Sequence, residues 1–231
     1  MRHVLTGAGS GIGLALAHRL AGRGDDLVLL ARSEARAAEL GGTFPQAEVL
    51  VADLAEPGTL NGLGRQVDGP VDTLLHVAGV VDLARVDRLR LAEWEEQITV
   101  NLSAPAVLTR ELLPHLRASR GTVVFVNSSA GLSASAEWSA YAASKFGLRA
   151  FADALRAEEV EHGVRVSTVY PSRTATPMQE KVHEQEGRTS DSSRWISAET
   201  VVDTIVHVVD LPADATIPDV TVRPVVPRTG T

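Results

Sequence analysis

Seven short runs of β-branched and aliphatic residues punctuate the chain, at His3 to Thr6, Leu27 to Ala31, Glu48 to Val51, Thr73 to Val77, Thr122 to Asn127, Val164 to Val169 and Asp219 to Val222. Their apolar positions follow one another instead of alternating with polar ones, so each strand has both faces to bury. Parallel strands packed between two layers of helices meet that condition. The spacing between them predicts helices at Gly11 to Ala21, Ser33 to Leu40, Gly58 to Gln66, Leu91 to Leu116, Ala140 to His162 and Ala198 to Val209. Pro105 and Pro114 should start, bend or end pieces of the fourth, because proline lacks the amide donor and crowds the preceding turn. The expected fold class is α/β: a doubly wound, seven-stranded parallel sheet with helices on both faces, forming a single domain over residues 1–231. The polar stretch from Met178 to Arg194 breaks the rhythm after the sixth strand. It reads either as a lid or as a solvated loop with a short helix, within an excursion at about 174–197.

Composition narrows what such a fold can do. With 44% hydrophobic and 22% charged residues the chain can bury a large core, which argues against disorder. A formal net charge of -7 repels phosphate backbones and anionic membranes, so neither nucleic acid nor membrane is an expected partner. The chain has no cysteine, which removes disulfides, thiolate nucleophiles and cysteine-based metal sites, and no metal is expected. No apolar run approaches the roughly 20 residues of a membrane span. A cytoplasmic location is the expectation.

The first strand runs directly into Thr6-Gly7-Ala8-Gly9-Ser10-Gly11-Ile12-Gly13, followed by the helical Leu14-Ala15-Leu16-Ala17. A strand, a glycine turn and a helix start aim backbone amides and a positive helix end at a phosphate, the form of a dinucleotide site. The spacing is T-G-x-x-x-G-x-G rather than G-x-G-x-x-G, since Ile12 stands where the latter puts its last glycine. Arg32 ends the second strand, where an acidic residue would hold the ribose hydroxyls of NAD. A guanidinium there suits the 2′-phosphate of NADP, although it also suits a solvated surface charge. Asp53, after the third strand, is placed either to accept from an adenine amine or to cap the next helix.

Ser128 follows the fifth strand, and Tyr141 and Lys145 lie four apart on one face of the next helix. A fixed ammonium beside a phenol should stabilise the phenolate and lower a pKa that is otherwise near 10. The pair would then serve as acid and base, with Ser128 holding the same substrate oxygen.

These features in this order resemble the short-chain dehydrogenase/reductase family over essentially the whole chain. The resemblance implies a Rossmann-type fold and NADP(H), or less favourably NAD(H), as cofactor. It also implies catalysis by Ser128, Tyr141, Lys145 and Asn101, with Tyr141 as general acid and base and Asn101 helping to seat a relay water. Lys145 would hold the nicotinamide ribose, and the cofactor set would comprise Gly7, Ser10, Gly11, Ile12, Gly13, Arg32, Asp53, Leu54, Ala78, Gly79, Tyr141, Lys145, Pro171, Thr174 and Thr176. A homodimer or homotetramer is implied through the fourth and fifth helices.

Two positions depart from the family pattern. His76-Val77-Ala78-Gly79 stands where two asparagines usually precede the alanine and glycine, and His76 is expected to brace the backbone rather than catalyse. Ser172 replaces a glycine after Pro171, which weakens the assignment of Thr174. Ser10 also leaves the glycine turn without the basic residue of some NADP-preferring members, so Arg32 must do most of the discrimination. Leu132, Trp138, Met178 and Trp195 suggest an apolar pocket for a small carbonyl or alcohol, with Arg173 an isolated candidate for an anionic group. The expected function is an NADP(H)-dependent oxidoreductase interconverting a carbonyl and an alcohol. The alternatives are a catalytically silent NADP-binding sensor and a relative acting as isomerase, dehydratase or epimerase.

Overall fold

A computed structural model describes residues 1–187 and 194–225. Seven strands, β1 (Arg2–Thr6), β2 (Asp26–Ala31), β3 (Glu48–Val51), β4 (Thr73–His76), β5 (Thr122–Val126), β6 (Arg165–Pro171) and β7 (Asp219–Val222), form one sheet. Its order is β3-β2-β1-β4-β5-β6-β7, and every neighbouring pair is parallel. The chain reverses its direction of winding between β1 and β4. That switch point opens a crevice at the carboxyl ends of the strands, where open α/β sheets bind ligands.

Because successive side chains in a strand face opposite ways, each strand feeds two cores. Val4, Val28 and Val123 pack against Leu108, Leu112 and Leu116 of α4 (Ala104–Ser119) and Leu148 and Leu155 of α5 (Ser139–Glu159). On the other face Leu5, Leu29 and Val124 meet Leu16 and Leu20 of α1 (Gly11–Gly22), Leu40 of α2 (Glu34–Thr43) and Val201 and Ile205 of α7 (Ala198–Val209). The consecutive apolar runs seen in the sequence are these two cores.

The helices expected in the middle of the chain are more broken than their apolar spacing suggested. Gly58 to Gln66 is two 3₁₀ turns, Pro57–Leu60 and Leu63–Gln66, because Gly62 between them sits at φ 80°, outside the helical region. Leu91 to Leu116 is α3 (Leu91–Ile98), a π-helical turn at Thr99–Ser103, and then α4. Pro105 lies at the start of α4, directly after the π-helical turn, and Pro114 lies within it. The Met178 to Arg194 stretch contains most of α6 (Pro177–Gln185), while residues 188–193 lie outside the described residues. Both ends of the 174–197 excursion are joined by a bridge between Thr174 and Ile196, with Ala175 N–H donating to Ile196 O at 2.8 Å. α6 is thereby held over the carboxyl end of the sheet.

Candidate functional site

One cavity of about 1190 Å³ runs along the switch-point crevice. Its wall includes Gly7, Ser10, Gly11, Ile12, Gly13, Arg32, Leu54, Ala78, Gly79, Ser128, Tyr141, Lys145, Pro171, Thr174 and Thr176, fifteen of the residues singled out from sequence. Two stand off it. Asn101 and Asp53 are turned to the backbone behind the wall.

The glycine end is built by close approach of main chains. Gly7 has φ 81°, and a Cβ there would lie 2.8 Å from Ala78 N. Gly13 lies against the same turn, with its missing Cβ 2.1 Å from Gly7 O, so α1 begins hard against β1. Thr6 fastens the turn to the segment after β4, its Oγ1 accepting from Val77 N–H and Ala78 N–H, both at 3.1 Å. Ser10 is the extended N-cap of α1, and its side chain makes no capping bond. The first amides of α1 therefore have no side-chain cap, and the residues that carry them line the crevice.

At the outer end of the cavity stand two arginines. Arg32 is exposed at the end of β2. Arg36 lies one turn into α2, whose N-cap Ser33 accepts from its backbone N–H at 3.4 Å. The Arg36 guanidinium pairs with Glu39 and donates to Gly9 O at 3.4 Å, so it lies across the glycine turn. Asp53 is not beside them. Its Oδ1 accepts from Ala55 N–H at 2.9 Å in a local turn, while the next helix, Pro57–Leu60, has Glu56 at its N-cap and no side-chain cap, so Asp53 does not cap it.

At the inner end, Tyr141 and Lys145 project from the first turns of α5 beneath Ser128. Tyr141 shares a hydrogen bond with Ser128. The Lys145 ammonium donates to Val126 O at 3.1 Å and lies 5.7 Å from the centre of the tyrosine ring. Burial pushes the phenol up to about 12, with the Ser128 bond a smaller opposing effect. Burial likewise brings Lys145 down to about 8. The expected depression of the tyrosine by the ammonium is thus overturned in the protein alone: both groups are desolvated, and each resists its charged form. The phenol is a held proton.

The family model of the short chain dehydrogenases matches residues 2–187. The chain belongs to this family. D-threitol dehydrogenase of Mycolicibacterium smegmatis is 32% identical over 186 residues, 77% of this chain and 72% of its own length. A short-chain dehydrogenase from Sphingobium yanoikuyae, solved in complex with NADPH, is 28% identical with a TM-score of 0.76, covering 89% of this chain and 83% of that one. A serine dehydrogenase complexed with NADP+ superposes with a TM-score of 0.88 over 100% of this chain and 98% of that one, at 22% identity, a likeness of fold alone. The resemblance drawn from the sequence is the true kinship, and the protein is an oxidoreductase of this family.

Other residues of this short-chain dehydrogenase that were named from the sequence brace the walls of the cavity. Asn101 lies in the π-helical turn, where its Oδ1 accepts from Val80 N–H, and its Nδ2 donates to Val80 O, each at 2.9 Å, and to Ser144 Oγ at 3.0 Å. His76, expected to brace the backbone, bonds a side chain instead. Its Nε2 lies 2.9 Å from Thr109 Oγ1 and its ring stacks on Phe125 at 4.8 Å. Burial, helped by the nearby Lys145 charge, lowers its pKa to about 3, so it stays neutral. Ser172 ties the segment after β6 to β7, donating its N–H to Val222 O at 2.8 Å. Trp138 and Met178 line the cavity and Leu132 does not, while Trp195 meets the wall through Arg173, 5.6 Å from its ring.

Arg36 and Asn127 escaped the sequence reading. Asn127 Oδ1 accepts from Ser128 N–H at 2.8 Å and Nδ2 donates to Lys145 O at 3.0 Å, which locks the serine loop to α5. The signal for Arg36 was the second basic residue of Arg32-Ser33-Glu34-Ala35-Arg36, one helical turn past a serine cap. For Asn127 no local signal exists, since the partner of its Nδ2, Lys145 O, lies on another element.

Proposed function

We propose that this protein is an NADP(H)-dependent oxidoreductase that interconverts a small carbonyl compound and the corresponding alcohol, with Tyr141 as general acid and base. The reading rests on one juxtaposition. A single cavity carries arginines at its outer end, an anion-binding helix start in its middle and the Ser128–Tyr141–Lys145 group at its inner end. The residues fit a phosphorylated dinucleotide, because the glycine turn leaves open the space a Cβ would fill and Arg32 and Arg36 flank its outer side. When bound, the nicotinamide supplies or accepts the hydride. The protein's own work is protonic. Ser128 and Tyr141 together orient the substrate oxygen, and the phenol, held neutral by burial, donates to it in the reductive direction. Lys145 stands behind the phenol as a positive charge that stabilises the phenolate as the proton leaves.

The test is NADPH consumption against a panel of ketones and aldehydes, with Tyr141→Phe beside the parent. Removing the acid should lower turnover about 10³-fold while NADPH affinity, read by fluorescence titration, stays within about threefold. Tight NADPH binding with no turnover on any carbonyl or alcohol would sink the enzyme reading in favour of a dinucleotide sensor.

A further inference from the structure

We infer that Arg173 is an anion-recognition site for the substrate, and that the natural substrate carries a carboxylate remote from its reacting carbonyl; this rests on the oxidoreductase reading above. Arg173 follows β6 and lines the same cavity as Tyr141. Its guanidinium carbon lies 5.7 Å from the Trp138 ring centre and 5.6 Å from that of Trp195. Both indoles are within cation–π range, so the fork is fixed in orientation. The same Trp138 meets the Tyr141 ring edge-on at 5.7 Å. A charged fork thus stands one indole away from the reactive phenol.

In the structure Glu186 occupies that fork with both carboxylate oxygens, one of them at 2.7 Å from Nη1. Arg173 and Glu186 side chains are 20% and 12% exposed. A pair so far removed from water is seldom worth more than apolar packing. Nor is the pair required to hold α6 down. The other flank of α6 is fastened by Lys181 to Asp82 at 2.7 Å, by Gln185 Nε2 to Asp82 Oδ1 at 2.9 Å and by Leu83 N–H to Gln185 Oε1 at 3.2 Å. A substrate carboxylate can take the place of Glu186 on the fork while the helix stays seated, the Glu186 carboxylate at the end of α6 turning out to water as it is released. A neutral substrate has nothing to offer in that exchange.

The probes are matched pairs, 4-acetylbenzoate against its methyl ester and 5-oxohexanoate against its methyl ester, with NADPH and intact protein. The acids should show KM values about 10-fold or more below those of the esters, the range set by a charge-assisted bidentate contact. Arg173→Gln should remove that preference, raising KM for the acids at least to that of the esters. Glu186→Gln should sharpen it, lowering KM for the acids several-fold because the internal competitor has gone. That second variant carries the test if Arg173→Gln does not fold. A preference for the esters, or equal losses on acid and ester in both variants, would overturn the site and leave the pair as a helix fastening. Acids that bind the NADP-loaded protein by calorimetry, lose that binding in Arg173→Gln and are never turned over would keep the site and sink the oxidoreductase reading.

Discussion

The two halves of the cavity are made in different ways. The half that faces Gly7 to Gly13 is shaped by backbone: a left-handed glycine, a helix packed against its own preceding turn, and a threonine stitching two loops together. The half that faces Trp138, Arg173 and Glu186 is shaped by long side chains drawn from the start of α5, the end of β6 and the end of α6. Backbone shape admits one family of ligands and tolerates almost no substitution. Side-chain shape can be rewritten residue by residue, which is how one fold serves many substrates.

The most damaging way to probe that contrast is to add a single carbon on the backbone side. Gly13→Ala places a methyl 2.1 Å from Gly7 O, with backbone and no flexible side chain to yield. Overpacking of this kind costs about 2–3 kcal/mol, so the urea midpoint should fall by the corresponding amount and NADPH binding should weaken with it. An alanine that leaves both unchanged would show that the glycine end is softer than its geometry, and the contrast with the substrate half would fail.

A smaller effect is expected where the cofactor half does use side chains. Arg32→Asp should weaken NADPH binding by about 10- to 100-fold, the worth of hydrogen bonds to a charged group, and should narrow or invert the preference over NADH. Arg36→Ala should cost less, since its guanidinium already divides itself between Glu39 and Gly9 O. Dissociation constants for both cofactors measure this directly. If Arg32→Asp leaves the ratio unchanged, discrimination lies with Arg36 or with no arginine at all.

The same contrast governs what was legible in the sequence. Gly7, Gly11 and Gly13 could be read because a turn's requirements are local, and Tyr141 and Lys145 because helical spacing puts them on one face. Consecutive apolar runs announced the parallel sheet for a similar reason. What could not be read depends on partners distant in the chain. Asn127 is bound to Lys145 O, eighteen residues on. Arg173 was visible only as a lone charge, because nothing local shows that Trp138, Trp195 and Glu186 converge on it. Gly58 to Gln66 failed differently: its apolar spacing suits a helix, and one left-handed glycine overrules it.

The finest division between the halves lies at their junction, in the protonation of Lys145. Burial holds its ammonium at about 8 rather than in the ordinary lysine range. Because kcat/KM reports the free enzyme, the value measured for NADPH should follow this group. A lysine whose pKa is lowered is charged below that value and neutral above it. Reductive kcat/KM should therefore hold level to about pH 7 and fall about fourfold by pH 8.5, as expected for loss of one proton with a midpoint near 8. Lys145→Arg keeps a charge at every accessible pH, so whatever activity it retains should lack this limb. Tyr141 offers no competing explanation, since burial puts its own titration near 12. A parent profile flat to pH 9.5 would mean that the ammonium is better solvated than the cavity wall allows, and the inner end of the site would then belong with the pliable half rather than the rigid one.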